Sequence, residues 1–159
     1  MTRYKLMIPG PVDVEDEVLA AMARPVIPHY GPDWLNVYND VLSMLKQVFQ
    51  TKNDILLIPG PGSAALDAAM GSMMAPGDLV CIPVNGFFGQ RLVHIAQANG
   101  LNVLQVDFAL GQPIAPDVLR RRLLEQRERE AQDLNAPRLR ALAVVHHETS
   151  TGVLNPLQD

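Results

Sequence analysis

The chain has 159 residues, with 13 basic and 17 acidic side chains and a formal charge of −4. That length fits one domain of ordinary size, and 48% hydrophobic against 19% charged residues is enough apolar material for a core, which excludes wholesale disorder. The acidic balance offers no electrostatic footprint for nucleic acid or an anionic membrane, and the single cysteine, Cys81, excludes an intrachain disulfide framework and a multi-cysteine zinc site. No apolar run approaches the roughly 18 residues of a spanning helix, and Pro9 interrupts the amino terminus too early for a signal-peptide core. The expected setting is cytoplasmic.

In chain order, Asp13 is placed to cap a helix running to Ala23, with Asp16 and Glu17 near its positive end. Pro25, Pro28 and Pro32 keep the next stretch irregular around His29 and Tyr30. A second helix is expected from Asp33 to Phe49. There Trp34, Leu35, Tyr38, Val41, Leu42, Leu45, Val48 and Phe49 recur at helical spacing and predict one buried face. From Asp54 the pattern is βα repeated: a strand over Ile55–Ile58, a helix over Ser63–Met74, a strand over Leu79–Val84 and a helix over Gly89–Asn99 closed by Gly100. A strand over Asn102–Val106, a charged helix over Pro116–Gln132 and a strand over Ala141–Val145 follow. Short continuous apolar runs separated by helices predict a three-layer α/β/α architecture around a mainly parallel sheet. The last strand and its polar loop fall in mid-alternation, as in a truncated fold.

Three stretches carry chemistry. Gly60-Pro61-Gly62-Ser63-Ala64-Ala65 joins a strand to a helix, where glycine allows close backbone approach and the helix start presents free N–H groups to an anion. It reads either as a phosphate cradle or as a plain turn with Ser63 as cap. The same residues satisfy G-x-G-x-x-A, but the dinucleotide reading needs an acidic residue at the end of the next strand. Asp78 precedes that strand and Asn85 follows it, so a single phosphate is the better reading. Asn85–Arg91, NGFFGQR, sets two aromatics in a tight loop, with one of Phe87 and Phe88 expected in the core and the other displayed to a planar ligand. His146–Gly152, HHETSTG, gathers imidazoles, a carboxylate and hydroxyls at the same sheet edge. Neighbours on an extended segment point to opposite faces, which favours structural histidines over a metal site. The three loops converge where open α/β sheets bind ligands.

The segments PGPVDVEDEVLAAMARPVIPH (Pro9–His29), GPGSAALDAAM (Gly60–Met70), PGDLVCIPVNGFFGQR (Pro76–Arg91) and ETSTGVLNP (Glu148–Pro156) resemble the amino-terminal part of class V aminotransferases. The likeness is to the alanine–glyoxylate, serine–glyoxylate and serine–pyruvate branch. It implies a fold-type I enzyme dependent on pyridoxal 5′-phosphate and a homodimer when complete. Residues 1–32 would be an amino-terminal segment, and residues 33–159 the first half of the large cofactor domain. Gly62 and Ser63 would hold the cofactor phosphate, Phe88 would stack on its ring, Thr149 would contact the ring hydroxyl, and Gly10 would lie beside the substrate carboxylate. Pro61 stands where the family commonly has Ser, Phe88 where Trp is common, and Tyr30 where Arg is frequent. The chain's lysines, Lys5, Lys46 and Lys52, all precede the cofactor motifs, and none matches the family's Schiff-base lysine. The chain alone is therefore expected to be inactive. The alternative is a phosphate- or nucleotide-binding module without covalent chemistry. Bland readings cover the rest: Met70, Met73 and Met74 as core filler, Arg121–Glu125 and Glu125–Arg129 as surface pairs, and Cys81 as an inert buried thiol.

Overall fold

The computed structural model describes residues 4–158, which divide into two compact units, the first ending at Leu57 and the second beginning at Ile58. The first unit holds α1 (Asp16–Met22) and α2 (Pro32–Val48). Helix α1 begins two residues later than expected: the Asp13 carboxylate accepts a hydrogen bond from the Leu6 N–H at 3.2 Å, and Glu15 stands at the cap. Helix α2 starts on Pro32, whose fixed φ suits the first turn, after Gly31 at φ 88°. The expected apolar stripe is present but only half-buried, at Trp34, Tyr38, Val41, Leu42 and Leu45. Leu35, Val48 and Phe49 are exposed, so no face of α2 is fully buried.

The predicted strand Ile55–Ile58 does not form. The segment is irregular, half-buried at Ile55 and exposed over Leu56–Ile58, Leu56 to 81%, and pairs with no strand among the described residues. An apolar run without a ladder partner has nothing to hold its N–H and C=O groups as a strand.

The second unit carries α3 (Gly62–Met73), β1 (Leu79–Val84), α4 (Phe87–Ala98), β2 (Asn102–Asp107), α5 (Pro116–Gln132) and β3 (Leu139–Leu142). The strands form a parallel sheet in the order β2-β1-β3. All six residues of β1 are buried, as a central strand covered on both faces requires. Its register pairs Leu79 with Asn102 and Val84 with Asp107 on one side. On the other, Leu79 pairs with Leu139 and Val80 with Ala141, so the register shifts at Arg140. The Arg140 guanidinium then reaches Asp78, with Nε to Oδ1 at 3.3 Å. Strand β3 ends at Leu142 rather than Val145, although Ala143 and Val145 still pack on the core.

That core joins Met70 of α3 and Leu92, Val93 and Ala96 of α4 to Val80, Ile82 and Val84. Alternation turns Leu142 and Val144 to the opposite face, where they border α5 residues Leu119 and Leu123 around a cavity of about 250 Å³. Of the three methionines expected as filler, Met70 is buried and Met74 packs against the core, but Met73 is 72% exposed. Glu125 pairs with Arg122 at 3.0 Å, one helical turn back, instead of with Arg121 or Arg129. Cys81 is fully buried, and burial pushes its thiol up to about 11, so it is un-ionised and inert at neutral pH. Gly100 closes α4 at φ 72°, the left-handed conformation that its position after the helix demands.

Beyond the sheet, β4 (His147–Glu148) and β5 (Val153–Leu154) form a short antiparallel pair with His147 opposite Leu154 and Glu148 opposite Val153. Among the described residues no helix is long and apolar enough to cross a membrane.

Candidate active site

The β1–α4 junction organises the region. Gly86 precedes α4 as its cap, so Phe87 and Phe88 open the helix instead of standing in a loop. Both rings are displayed, Phe87 at 60% and Phe88 at 40% exposure, and they meet edge to face with centroids 5.3 Å apart. The expectation that one would fill the core therefore fails: the inward positions of α4 fall at Gly89, Leu92, Val93 and Ala96.

What holds the start of α4 is Glu148, 60 residues on. Its side chain is fully buried, and Oε2 accepts the N–H groups of Phe88 and Gly89, both at 3.0 Å. Oε1 accepts the Ser150 N–H at 3.2 Å and the Ser150 hydroxyl at 2.5 Å. Ser150 Oγ in turn accepts the Phe87 N–H at 2.9 Å. The carboxylate thus takes up the helix's open donors at its positive end. Burial pushes the Glu148 carboxyl up, but the Ser150 hydroxyl and the Gly89, Phe88 and Ser150 N–H groups outweigh it and hold the group below the usual carboxylate value.

A depressed folded-state value has a definite sign. Glu148 contributes stability above its unfolded value of 4.5, and loses it as pH falls through the lower folded value. The expected result is a gap in melting temperature between the unmodified protein and Glu148→Gln that is constant above about pH 5 and closes toward pH 3. Thermal melts across that range check it; a gap that widens in acid contradicts it.

A second buried network fixes the neighbouring loops. Asn85 Nδ2 donates to the Gln112 carbonyl and to Asn155 Oδ1, each at 2.9 Å. Asn155 Oδ1 also accepts the Ile114 N–H at 3.0 Å, and its Nδ2 donates to the Val145 carbonyl at 2.7 Å. The ends of β1 and of the β3 segment are thereby tied together.

The residues singled out by sequence fall as follows. Phe88 and Thr149 line one largely apolar cavity of about 510 Å³, together with Arg91, His147 and the inner side of α3. Ser63 borders an adjoining hollow and not this cavity, but Arg91 lines both, and its Nε donates to Ser63 Oγ at 2.8 Å. Ser63 is thus not the cap of α3, a position held by Pro61; its hydroxyl is turned to Arg91 instead. Gly62 begins α3, and a Cβ built on it would meet no atom within 4 Å, leaving open space before the helix. Gly10 lies in the first unit, exposed at a bend. His147 is exposed, on the cavity side with Thr149, while Glu148 is buried, the alternation expected of an extended segment. The sequence reading counted Glu148 only within a polar cluster and Arg91 only as the end of a loop, and missed what each one holds. Local sequence does not signal these roles, since the α4 N–H groups that Glu148 accepts lie 59 and 60 residues away and the Ser63 hydroxyl that Arg91 engages lies 28 away.

These residues fit pyridoxal phosphate. The first turn of α3 offers backbone donors over open space, with the Ser63 hydroxyl and the Arg91 cation beside them. A displayed aromatic face and a hydroxyl share an apolar cavity large enough for a pyridine ring.

The parallel sheet, with its helices and the loops at one edge, has the α/β fold of the pyridoxal-phosphate-dependent aminotransferases. It superposes on a ureidoglycine–glyoxylate aminotransferase of Bacillus subtilis with a TM-score of 0.84 and 33% identity, over 99% of this chain and 38% of that one. An alanine–glyoxylate aminotransferase of Nostoc sp. gives a TM-score of 0.84 and 34% identity, over 99% of this chain and 39% of that one. A curated relative, the soluble hydrogenase 42 kDa subunit of Anabaena cylindrica, is 37% identical over 98% of this chain and 38% of its own length. No family model matches the chain. The chain is homologous to the class V aminotransferases, as its motifs imply, and it spans little more than a third of the length of the relatives it matches.

Proposed function

We propose that this chain forms part of a longer enzyme that moves an amino group between a small amino acid, alanine or serine, and a 2-oxo acid such as glyoxylate or pyruvate. The observation that carries this reading is the meeting of Phe88 and Thr149 across one apolar cavity, with Arg91 linking that cavity to the Ser63 turn. Bound pyridoxal phosphate supplies the electron sink that transamination requires. In this reading the Gly62 and Ser63 N–H groups and the Ser63 hydroxyl bind the phosphate. Phe88 holds the ring plane and keeps water from one face, Thr149 orients the ring through its hydroxyl, and Gly10 lies beside the substrate carboxylate. Residues 1–32 serve as an amino-terminal segment, and the cofactor domain begins at residue 33. A homodimer in the cytoplasm suits the half-buried stripe of α2 and the unpaired Cys81.

The lysine that binds the cofactor covalently is then not among Lys5, Lys46 and Lys52, which all precede the phosphate turn. The expected outcome is amino transfer from alanine or serine to glyoxylate by the complete, cofactor-loaded polypeptide and none by these 159 residues alone. A coupled assay for the 2-oxo acid product checks both. Failure of the complete polypeptide to transfer from any small amino acid overturns the reading. The phosphate- or nucleotide-binding module is less favoured, since several relatives that match over nearly this whole length are aminotransferases.

A further inference from the structure

We infer that Glu148 is a positioning residue that sets the Phe88 ring and the Thr149 hydroxyl at a fixed spacing across the cavity. The inference rests on the reading that this cavity receives the pyridine ring. Three successive N–H groups at the start of α4, those of Phe87, Phe88 and Gly89, are held by two side chains of a single turn, Glu148 and Ser150. Thr149 lies between those two residues in the chain. The backbone that carries the ring is therefore hydrogen-bonded to the two side chains that flank Thr149, without passing through the sheet.

A hydroxyl cap would satisfy one or two of these donors. Here all three are taken, two by Glu148 Oε2 and one by Ser150 Oγ, while Glu148 Oε1 accepts the Ser150 N–H and hydroxyl and so locks the two side chains to each other. Such a clamp leaves the first turn of α4 no alternative arrangement at low cost. Gly86 completes it: a Cβ there would run into the Glu148 carboxyl group and the Ser150 hydroxyl, so the carboxylate is packed against the β1–α4 backbone itself. Glu148 does not line the cavity, and both of its oxygens are engaged. It acts through Phe88 and Thr149 and not on a ligand.

The test uses the complete polypeptide freed of cofactor and two probes, pyridoxine 5′-phosphate, which has ring and phosphate but no aldehyde, and inorganic phosphate. Glu148→Gln keeps the shape but must turn its NH₂ toward donors on one side, loosening the clamp. The expected result is about tenfold weaker binding of pyridoxine 5′-phosphate with less than about a twofold change for inorganic phosphate. In a Phe88→Ala background the same substitution should change pyridoxine 5′-phosphate binding by less than about twofold, because the ring it positions is gone. Equal losses for both probes, or the full tenfold loss without Phe88, overturn the inference and leave Glu148 a residue of general stability. If Glu148→Gln does not fold, Ser150→Ala passes through the same cycle, with about a threefold selective loss expected and a non-selective loss overturning. Failure of the unmodified protein to bind pyridoxine 5′-phosphate overturns the cofactor reading, and this inference with it.

Discussion

Replacing Gly86 with alanine is expected to destabilise the second unit by about 3 kcal/mol, the largest effect of any single methyl group here. Gly86 adopts φ 179°, which any residue can take, so the cost is not backbone strain. The added Cβ would fall on Glu148 Cγ and Cδ and within 2.7 Å of Ser150 Oγ. Ser150 can rotate, losing its bond to Phe87. Glu148 can move only by giving up its bonds to the Phe88 and Gly89 N–H groups, which leaves a buried carboxylate and two helix donors unsatisfied. Denaturant unfolding of the complete polypeptide checks this, through a lower midpoint at unchanged slope. An unchanged midpoint would mean that the carboxylate shifts without loss, and that the clamp on α4 is looser than its geometry.

Phe88→Ala is expected to weaken pyridoxal phosphate binding by about a hundredfold at most. An aromatic stacked on a pyridine ring contributes about 1 kcal/mol beyond area burial, and covering the ring's own surface about 2 kcal/mol more. Their sum of roughly 3 kcal/mol corresponds to two orders of magnitude in affinity. Phe87→Ala should cost less than about 1 kcal/mol, since that ring is the more exposed and meets Phe88 only edge to face. Ser63→Ala should cost about 1–2 kcal/mol, because the α3 N–H groups remain and Arg91 loses only its acceptor. Cofactor titration of the three variants separates the roles. Near-normal binding by Phe88→Ala together with a large loss in Phe87→Ala would mean that the other ring faces the cofactor.

Much of this was legible in local sequence. Strand β1 and helix α5 occupy the predicted residues because a run of six apolar side chains and a proline-led charged helix are decided by their own composition. Gly100 is likewise decided by the turn it must make. The misses have non-local causes. Ile55–Ile58 has the composition of a strand but no ladder partner, and hydrogen bonds to a neighbour make a strand. Phe87 and Phe88 look like loop residues between two glycines, yet they are helical because a glutamate 60 positions later supplies the cap. Ser63 looks like a cap and is instead engaged by Arg91, 28 residues away. Sequence therefore located the loops of the site, whereas the bonds that orient them depend on which loops the parallel sheet brings side by side.

The central claim, that these loops were shaped for pyridoxal phosphate, is tested most directly by ligand discrimination in the complete polypeptide freed of cofactor. Equilibrium dialysis with pyridoxine 5′-phosphate, challenged by excess ADP, compares a stacked pyridine ring with a nucleotide on the same phosphate turn. Saturable binding of pyridoxine 5′-phosphate that ADP does not displace, and that falls in Phe88→Ala, is the predicted result. Displacement by ADP at similar concentrations, with no dependence on Phe88, would contradict the claim and favour a phosphate-binding module without transamination.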